Sequence, residues 1–416
     1  MSNRKRSVSL VVMLAVLSVL FMGARAKRER DVKYSGSESV SLSYVSRGSY
    51  SVGMQGLTTE NGAPLAITIW YPASAGSELE ETVSYRYELK MGDPLGMVSL
   101  STYAGRAIRD AEFDLAAGPY PLVILSSGFS FGGTAYAWLA EHLASYGFVV
   151  MAPEHQEHLD PSNELWQSAI ERPQDVLNVL AYVDEQVMSG GDLEALIDPE
   201  LIAVIGHSYG GYTSLVAAGA RINTPAFRSH CEEATASGHP AAWLCDEILP
   251  HLGEMADLAG LDSVPEGLWD AWADPRVDAI VPMAGDAFFF GQEGLAEINV
   301  PVMAIGGTKD NDAPYEWGTH PSYEYSTGPR KALISLTDAE HMIFTNQCEK
   351  TPFYLKPISG EFCSDPDWDR NYAHELVSHF TTAFLLAELK QDASALTTLA
   401  PDDIDLPGMT YEAQGY

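Results

Sequence analysis

Basic residues are scarce in this chain. Its 416 residues include 24 Lys and Arg against 57 Asp and Glu, for a formal net charge of −33. So acidic a surface repels phosphate backbones and anionic membranes, which argues against nucleic-acid binding and favours solubility. Cysteine is rarer still, at 4. No two cysteines stand at the close spacing of a zinc site. No Gly-rich loop carries the lysine of a phosphate cradle, and no dinucleotide fingerprint occurs. There is no internal repeat. Collagen-like, coiled-coil and multi-span membrane patterns are also missing. What is present is globular: 46% hydrophobic and 19% charged residues. Aromatic and branched side chains run throughout, which excludes disorder for most of the chain. The length allows two or three domains, or one α/β domain with insertions.

The N-terminus reads as a secretory signal. Arg4, Lys5 and Arg6 precede an apolar run from Val8 to Gly23, and Ala24-Arg25-Ala26 supplies a cleavage site. Residues 1–26 are therefore expected to be removed, giving a secreted or periplasmic protein with no stable membrane span. The competing reading is a retained anchor, which Lys27, Arg28 and Arg30 would suit. Export places Cys231, Cys245, Cys348 and Cys363 in an oxidising compartment. Of the three pairings open to four cysteines, the local one, Cys231–Cys245 and Cys348–Cys363, is expected. Residues 27–46 read as a polar linker. Residues 391–416, with Pro401 and Pro407, read as a loosely packed polar extension.

Between these ends, short apolar runs alternate with helical patterns. Strands are expected at 66–71, 121–125, 148–152, 201–205, 277–283, 300–305 and 332–336. Helices are expected over 135–146, around Val176 to Val183, directly after Gly206, and from Leu376 to Leu389. Residues 74–118 read as irregular. Such alternation means a mostly parallel central sheet covered on both faces, in one catalytic domain over 47–390. Residues 221–275, with Trp243, Trp269 and Trp272, break the rhythm and read as a lid-like insertion over the sheet's C-terminal edge.

Gly206-His207-Ser208-Tyr209-Gly210 fits Gly-x-Ser-x-Gly, with an apolar strand before it and an Ala-rich helix after. A sharp strand-to-helix turn tolerates only small flanking residues, so the glycines lift Ser208 above the sheet as a nucleophile. A helix-capping serine is the bland alternative. A serine hydroxyl needs a base to take its proton, and a carboxylate to orient that base. His341, soon after the final strand, is the expected base. The acid falls in Asp310-Asn311-Asp312, with Asp310 favoured and Asp312 the competitor. The oxyanion needs two backbone donors, expected from Tyr209 and from Phe129 in Gly128-Phe129-Ser130. Phe288, Phe289 and Trp243 are candidates for an apolar substrate pocket; packing of the insertion against the body is the alternative for the tryptophans.

Taken together these residues resemble the α/β-hydrolase superfamily. Within it the chain is similar to platelet-activating-factor acetylhydrolases and dienelactone-hydrolase-like secreted esterases, and more distantly to polyester hydrolases and cutinase-like enzymes. The resemblance runs from about Val52 to Leu389. It rests on Trp70-Tyr71-Pro72, Pro119 to Gly133, Leu139 to Val150, Glu154-His155, Arg172-Pro173-Gln174-Asp175-Val176 and Gly206 to Gly211. It implies Ser208, Asp310 and His341 as nucleophile, acid and base. Two departures stand out: the acetylhydrolases usually carry His-Gly where this chain has Ser127-Gly128, and dienelactone hydrolases use a cysteine where it has Ser208. The expectation is a serine esterase acting on a small-molecule, lipid or polymer ester, with no cofactor. A serine peptidase and a non-catalytic binding module are the competing readings. His155-Gln156-Glu157-His158 lacks the helical spacing of a zinc-protease motif, so no metal is expected.

Overall fold

A computed structural model describes residues 32–36, 42–59, 64–74, 82–92, 95–159, 165–188, 190–191, 193–401 and 404–416. The expected signal, residues 1–26, lies outside the described residues, as does part of the expected linker.

Eleven strands form one sheet, in the order β11-β10-β9-β8-β7-β5-β6-β2-β1-β4-β3. They are β1 (Ser51–Thr58), β2 (Ala66–Ala73), β3 (Thr82–Gly92), β4 (Gly96–Arg109), β5 (Tyr120–Ser126), β6 (Val149–Pro153), β7 (Ile197–His207), β8 (Val277–Met283), β9 (Val302–Gly307), β10 (Lys331–Leu336) and β11 (Met409–Gln414). From β6 across to β10 all pairs are parallel. These strands are apolar because both sheet faces are covered. In β5, Val123 and Leu125 enter one core while Leu122 and Ile124 enter the other. That is the two-residue period of a strand sorting side chains to opposite faces.

Helices fill the crossovers. They are α1 (Ala137–Ser145), α2 (Leu165–Met188), α3 (Tyr209–Ala217), α4 (Thr224–Ser237), α5 (Ala242–Ile248), α6 (Leu252–Leu258), α7 (Gly291–Leu295), α8 (Thr319–Tyr325), α9 (Lys356–Cys363), α10 (Arg370–Leu389) and α11 (Ala393–Thr398). The Asn223 side chain accepts from Ala226 N–H at the start of α4, and Asp369 accepts from Asn371 N–H at the start of α10. Each satisfies a donor that a helix start leaves without a partner.

Three expectations need correction. Residues 74–118, read as irregular, carry the long β3–β4 hairpin; Val83, Tyr85, Tyr87 and Leu89 face the core at alternate positions. Within the expected linker, the Tyr34 backbone brackets Trp368 through hydrogen bonds with Asp367 and Asp369, and Tyr44 N–H donates to His379 Nδ1. The C-terminal extension is structured as well. It forms α11, then β11, which pairs antiparallel with β10 from Met409 to Gln414. Met409, Tyr411 and Ala413 turn inward and the residues between them turn out, so burial of alternate side chains holds the strand in place.

Residues 221–275 are built into the second core rather than laid over it. Phe227, Cys231, Leu244, Cys245, Ile248, Met255 and Trp269 are all buried there. The disulfides are Cys231–Cys245, joining α4 to α5, and Cys348–Cys363, closing the segment ahead of α10.

Candidate active site

Strand β7 ends at His207 and α3 begins at Tyr209, so a single residue makes the turn. Ser208 makes it with φ 59° and ψ −124°, a backbone region that costs about 1–3 kcal/mol and persists only where its surroundings enforce it. The enforcement is visible. Ser208 N–H donates to Met283 O at 2.9 Å, and Ser208 O accepts from Gly211 N–H at 2.8 Å. A Cβ on Gly206 would fall 2.3 Å from Gly210 O, and one on Gly210 would fall 2.0 Å from Ser126 O. The two glycines are therefore a steric requirement of the turn.

His341 opens a short helical turn after β10, and its Nδ1 lies 2.6 Å from Asp310 Oδ2. Asp310 Oδ1 accepts from the N–H groups of Asp312 and Ala313. Of the two candidate acids the structure thus joins Asp310 to the histidine, and leaves Asp312 exposed. Burial pulls the His341 pKa down, but the neighbouring Asp310 charge and its hydrogen bond outweigh burial, with help from Asp312 and Asp286, and lift it to about 9. With Nδ1 committed to Asp310, Nε2 is the ring nitrogen left for proton exchange. Donor atoms of Asp310, Asp312 and His341 lie within 4.8 Å of one another. Asp310 is already engaged by two amides and an imidazole, a donor set suited to orienting a histidine.

The loop after β5 lies against Ser208: a Cβ built on Gly128 would sit 3.4 Å from Ser208 Cβ. Its amides are mostly taken. Gly128 N–H donates to Tyr136 Oη, Ser130 N–H to Glu157 Oε1, and Phe131 N–H to Gly128 O. Phe129 N–H has no acceptor among the described residues, and the Phe129 ring stands 6.0 Å from that of Tyr209. The side chains of the two residues expected to supply the oxyanion donors are therefore in contact.

Sequence reasoning missed what holds these parts in register. Gly128 N–H donates to Tyr136 Oη, Tyr136 Oη lies 2.8 Å from His207 Nδ1, and His207 Nε2 lies 3.0 Å from His341 O. A carbonyl can only accept, so His207 carries its proton on Nε2 and Nδ1 accepts from the tyrosine. Burial holds His207 well below the usual histidine range, which keeps it neutral for this role. Asp286 was missed as well. It is buried just past β8, and its Oδ1 has no partner among the described residues. Burial raises its pKa to about 7, against the lowering effect of His341. Its position directly after a core strand was the available signal.

The expected pocket trio is divided. Phe289 is fully buried between Tyr212 and Phe227, and Phe288 is nearly so, against Phe227 and Trp317. Trp243 is 48% exposed, because α5 turns Leu244, Cys245 and Ile248 inward instead. Trp269 is an anchor of the insertion, its indole N–H donating to Thr224 Oγ1. Among the described residues, hollows of about 440 Å³ beside the Cys231–Cys245 bridge and about 210 Å³ between Arg47, Tyr103 and His374 are not lined by Ser208, Asp310 or His341.

With this geometry in view, comparison with known proteins is informative. A model of the Chlorophyllase family matches residues 113–226, the stretch from the approach to β5 through Ser208 and into α4. Chlorophyllase-1 of Arabidopsis thaliana is 22% identical over 294 residues, covering 69% of this chain and 77% of that protein. The fold is an α/β-hydrolase fold. The similarities point to an esterase-type hydrolase in general. An ATP-dependent 6-phosphofructokinase of Alkaliphilus metalliredigens is 28% identical over 90 residues, 22% of this chain and 26% of the kinase. The chain thus spans only about a quarter of that enzyme's length.

Proposed function

We propose that the chain is a secreted serine esterase that cleaves carboxylic esters through Ser208, His341 and Asp310. The observation that carries the proposal is Ser208, held at positive φ between two sterically obligatory glycines, with His341 paired to Asp310 and its carbonyl bound to His207, the residue before Ser208. Ser208 Oγ attacks the ester carbonyl while His341 Nε2 takes its proton. The amides of Phe129 and Tyr209 donate to the oxygen that becomes negative. Collapse releases the alcohol, protonated by His341, and leaves an acyl group on Ser208. Water, deprotonated by His341, then releases the acid. Export is part of the proposal, supported by the basic and apolar N-terminus and by two disulfides.

Substrate class is tested directly. Purified protein is assayed on nitrophenyl esters of increasing acyl length, beside a phospholipid, a polyester film and chlorophyll, the last because of the likeness to a chlorophyllase. Hydrolysis of at least one ester by the wild type but not by Ser208→Ala is the expected result. Equal rates for the two proteins would overturn the proposal.

A further inference from the structure

Behind the oxyanion loop lies a buried polar cluster to which the mechanism above gives no role. Arg172 of α2 and Glu157, just after β6, are both almost wholly buried. Arg172 Nε donates to Glu157 Oε2 at 2.8 Å, and its Nη2 pairs with Oε1. Such a pair taken out of water is weak support for stability as such, so its other contacts say more about its purpose. Arg172 Nη1 donates to Ser127 O at 2.6 Å, and Glu157 Oε1 accepts from Ser130 N–H at 2.8 Å. Ser127 and Ser130 bracket Gly128 and Phe129. The pair therefore grips the loop on both sides of the Phe129 amide. The Arg172 guanidinium also lies over the Tyr209 ring, 5.6 Å from its centre, and so contacts the residue bearing the other donor.

The loop needs such a grip. Ser130 sits at φ 65°, a left-handed conformation that a serine adopts only when held. Besides Glu157, Lys90 N–H binds Ser130 O at 2.8 Å. A second layer backs the first: His155 Nε2 lies 2.9 Å from Ser126 Oγ and His155 Nδ1 2.7 Å from Asp175 Oδ2. This serine, histidine and aspartate mimic a catalytic triad, but Ser126 is fully buried at the end of β5, so no substrate can reach it. Burial holds His155 well below the usual histidine range, so it acts as a neutral spacer. Glu157 stays ionised: burial alone would raise its pKa, but Arg172 brings it to about 2.

We infer that Arg172 and Glu157 are positioning residues that align the Phe129 and Tyr209 amides into a preformed oxyanion hole. Preformed donors act on charge that develops only in the transition state, so misaligning them lowers kcat and leaves KM nearly unchanged. The inference rests on the serine-esterase proposal.

The test uses Glu157→Gln and the double variant Glu157→Leu/Arg172→Met. The double variant leaves no buried charge without its partner, so it is the version expected to fold. Thermal melting and circular dichroism check that it does. Steady-state kinetics on a short nitrophenyl ester should show kcat down roughly ten- to a hundredfold, short of the hundred- to thousandfold loss from deleting a donor outright. KM should stay within about twofold. A boronic acid, which forms a tetrahedral adduct on the serine, should bind more weakly by the same factor as kcat falls. Glu157→Gln, which keeps an acceptor for Ser130 N–H, should lose less than the double variant. A folded double variant with wild-type kcat and boronate affinity, or one altered in KM alone, overturns the inference while the esterase proposal stands. A wild type inactive on every ester overturns that proposal first, and the clamp's catalytic role with it.

Discussion

Two carboxylates two residues apart compete for one histidine, and the structure gives a reason for only one to matter. Asp310 has its Oδ1 fixed by two amides and its Oδ2 aimed at His341, whereas Asp312 is exposed. Asp310→Asn should therefore lower kcat on the order of 10⁴-fold, as removal of the orienting charge does in this kind of triad. Asp312→Asn should lose less than about tenfold, since an exposed charge shifts its neighbour only modestly. Steady-state kinetics of the two variants ranks them, and the opposite ranking would assign the acid to Asp312. His341 sets a pH dependence whose sign can be worked out. It accepts the Ser208 proton only when neutral, and its pKa is lifted to about 9. Hence kcat/KM should rise with pH from neutrality through about 9. The same shift links to stability with the opposite trend. The charged pair stabilises the fold fully below the ordinary histidine value of 6.5, and that contribution is lost as pH rises through about 9. A kcat/KM profile already flat above pH 6 would contradict this electrostatic account. Asp310 itself could be favoured from the sequence because it follows an apolar strand. Glu157 and Arg172 could not be given roles, because their meaning lies in a loop brought to them by folding.

At the scale of elements, the disulfides predict two different outcomes. Both close loops of similar length, with separations of 14 and 15 residues, each worth about 3 kcal/mol in the chain-entropy model. Cys348–Cys363 also braces the site: Phe362, beside Cys363, packs against Phe131 at 6.1 Å, and Phe131 N–H bonds into the oxyanion loop. Replacing Cys348 and Cys363 by serine should lower both the urea midpoint and kcat. Replacing Cys231 and Cys245, which join two helices of the insertion, should lower the midpoint and spare kcat. Equal kinetic effects from the two pairs would show that neither bridge acts on the site. The parallel strands were legible because β5, β6, β9 and β10 are buried along their whole length and read as mostly apolar runs. The β3–β4 hairpin was not, although Val83, Tyr85, Tyr87 and Leu89 alternate cleanly. Its partner strand carries register shifts that break the two-residue period, and polar residues fill its open face. Strand β11 was hidden by composition: half of its six residues face solvent, in a polar segment interrupted by Pro407.

For the whole molecule, the C-terminal segment closes the sheet. Strand β11 covers the edge of β10, Tyr411 stacks on Phe380 at 5.3 Å, and Tyr416 Oη donates to Glu388. Deleting residues from 392 onward should expose a flat apolar edge, lower the melting temperature and cause self-association visible by light scattering. An unchanged melting temperature in a monodisperse truncated protein would contradict that role. The central claim is that one serine, made reactive by its turn and by His341, performs the chemistry. Covalent labelling tests it most directly. The protein is treated with an alkyl fluorophosphonate and the adduct is located by peptide mass spectrometry. The account predicts one adduct per chain, on Ser208, absent from Ser208→Ala; no adduct, or an adduct on a different residue, would contradict it.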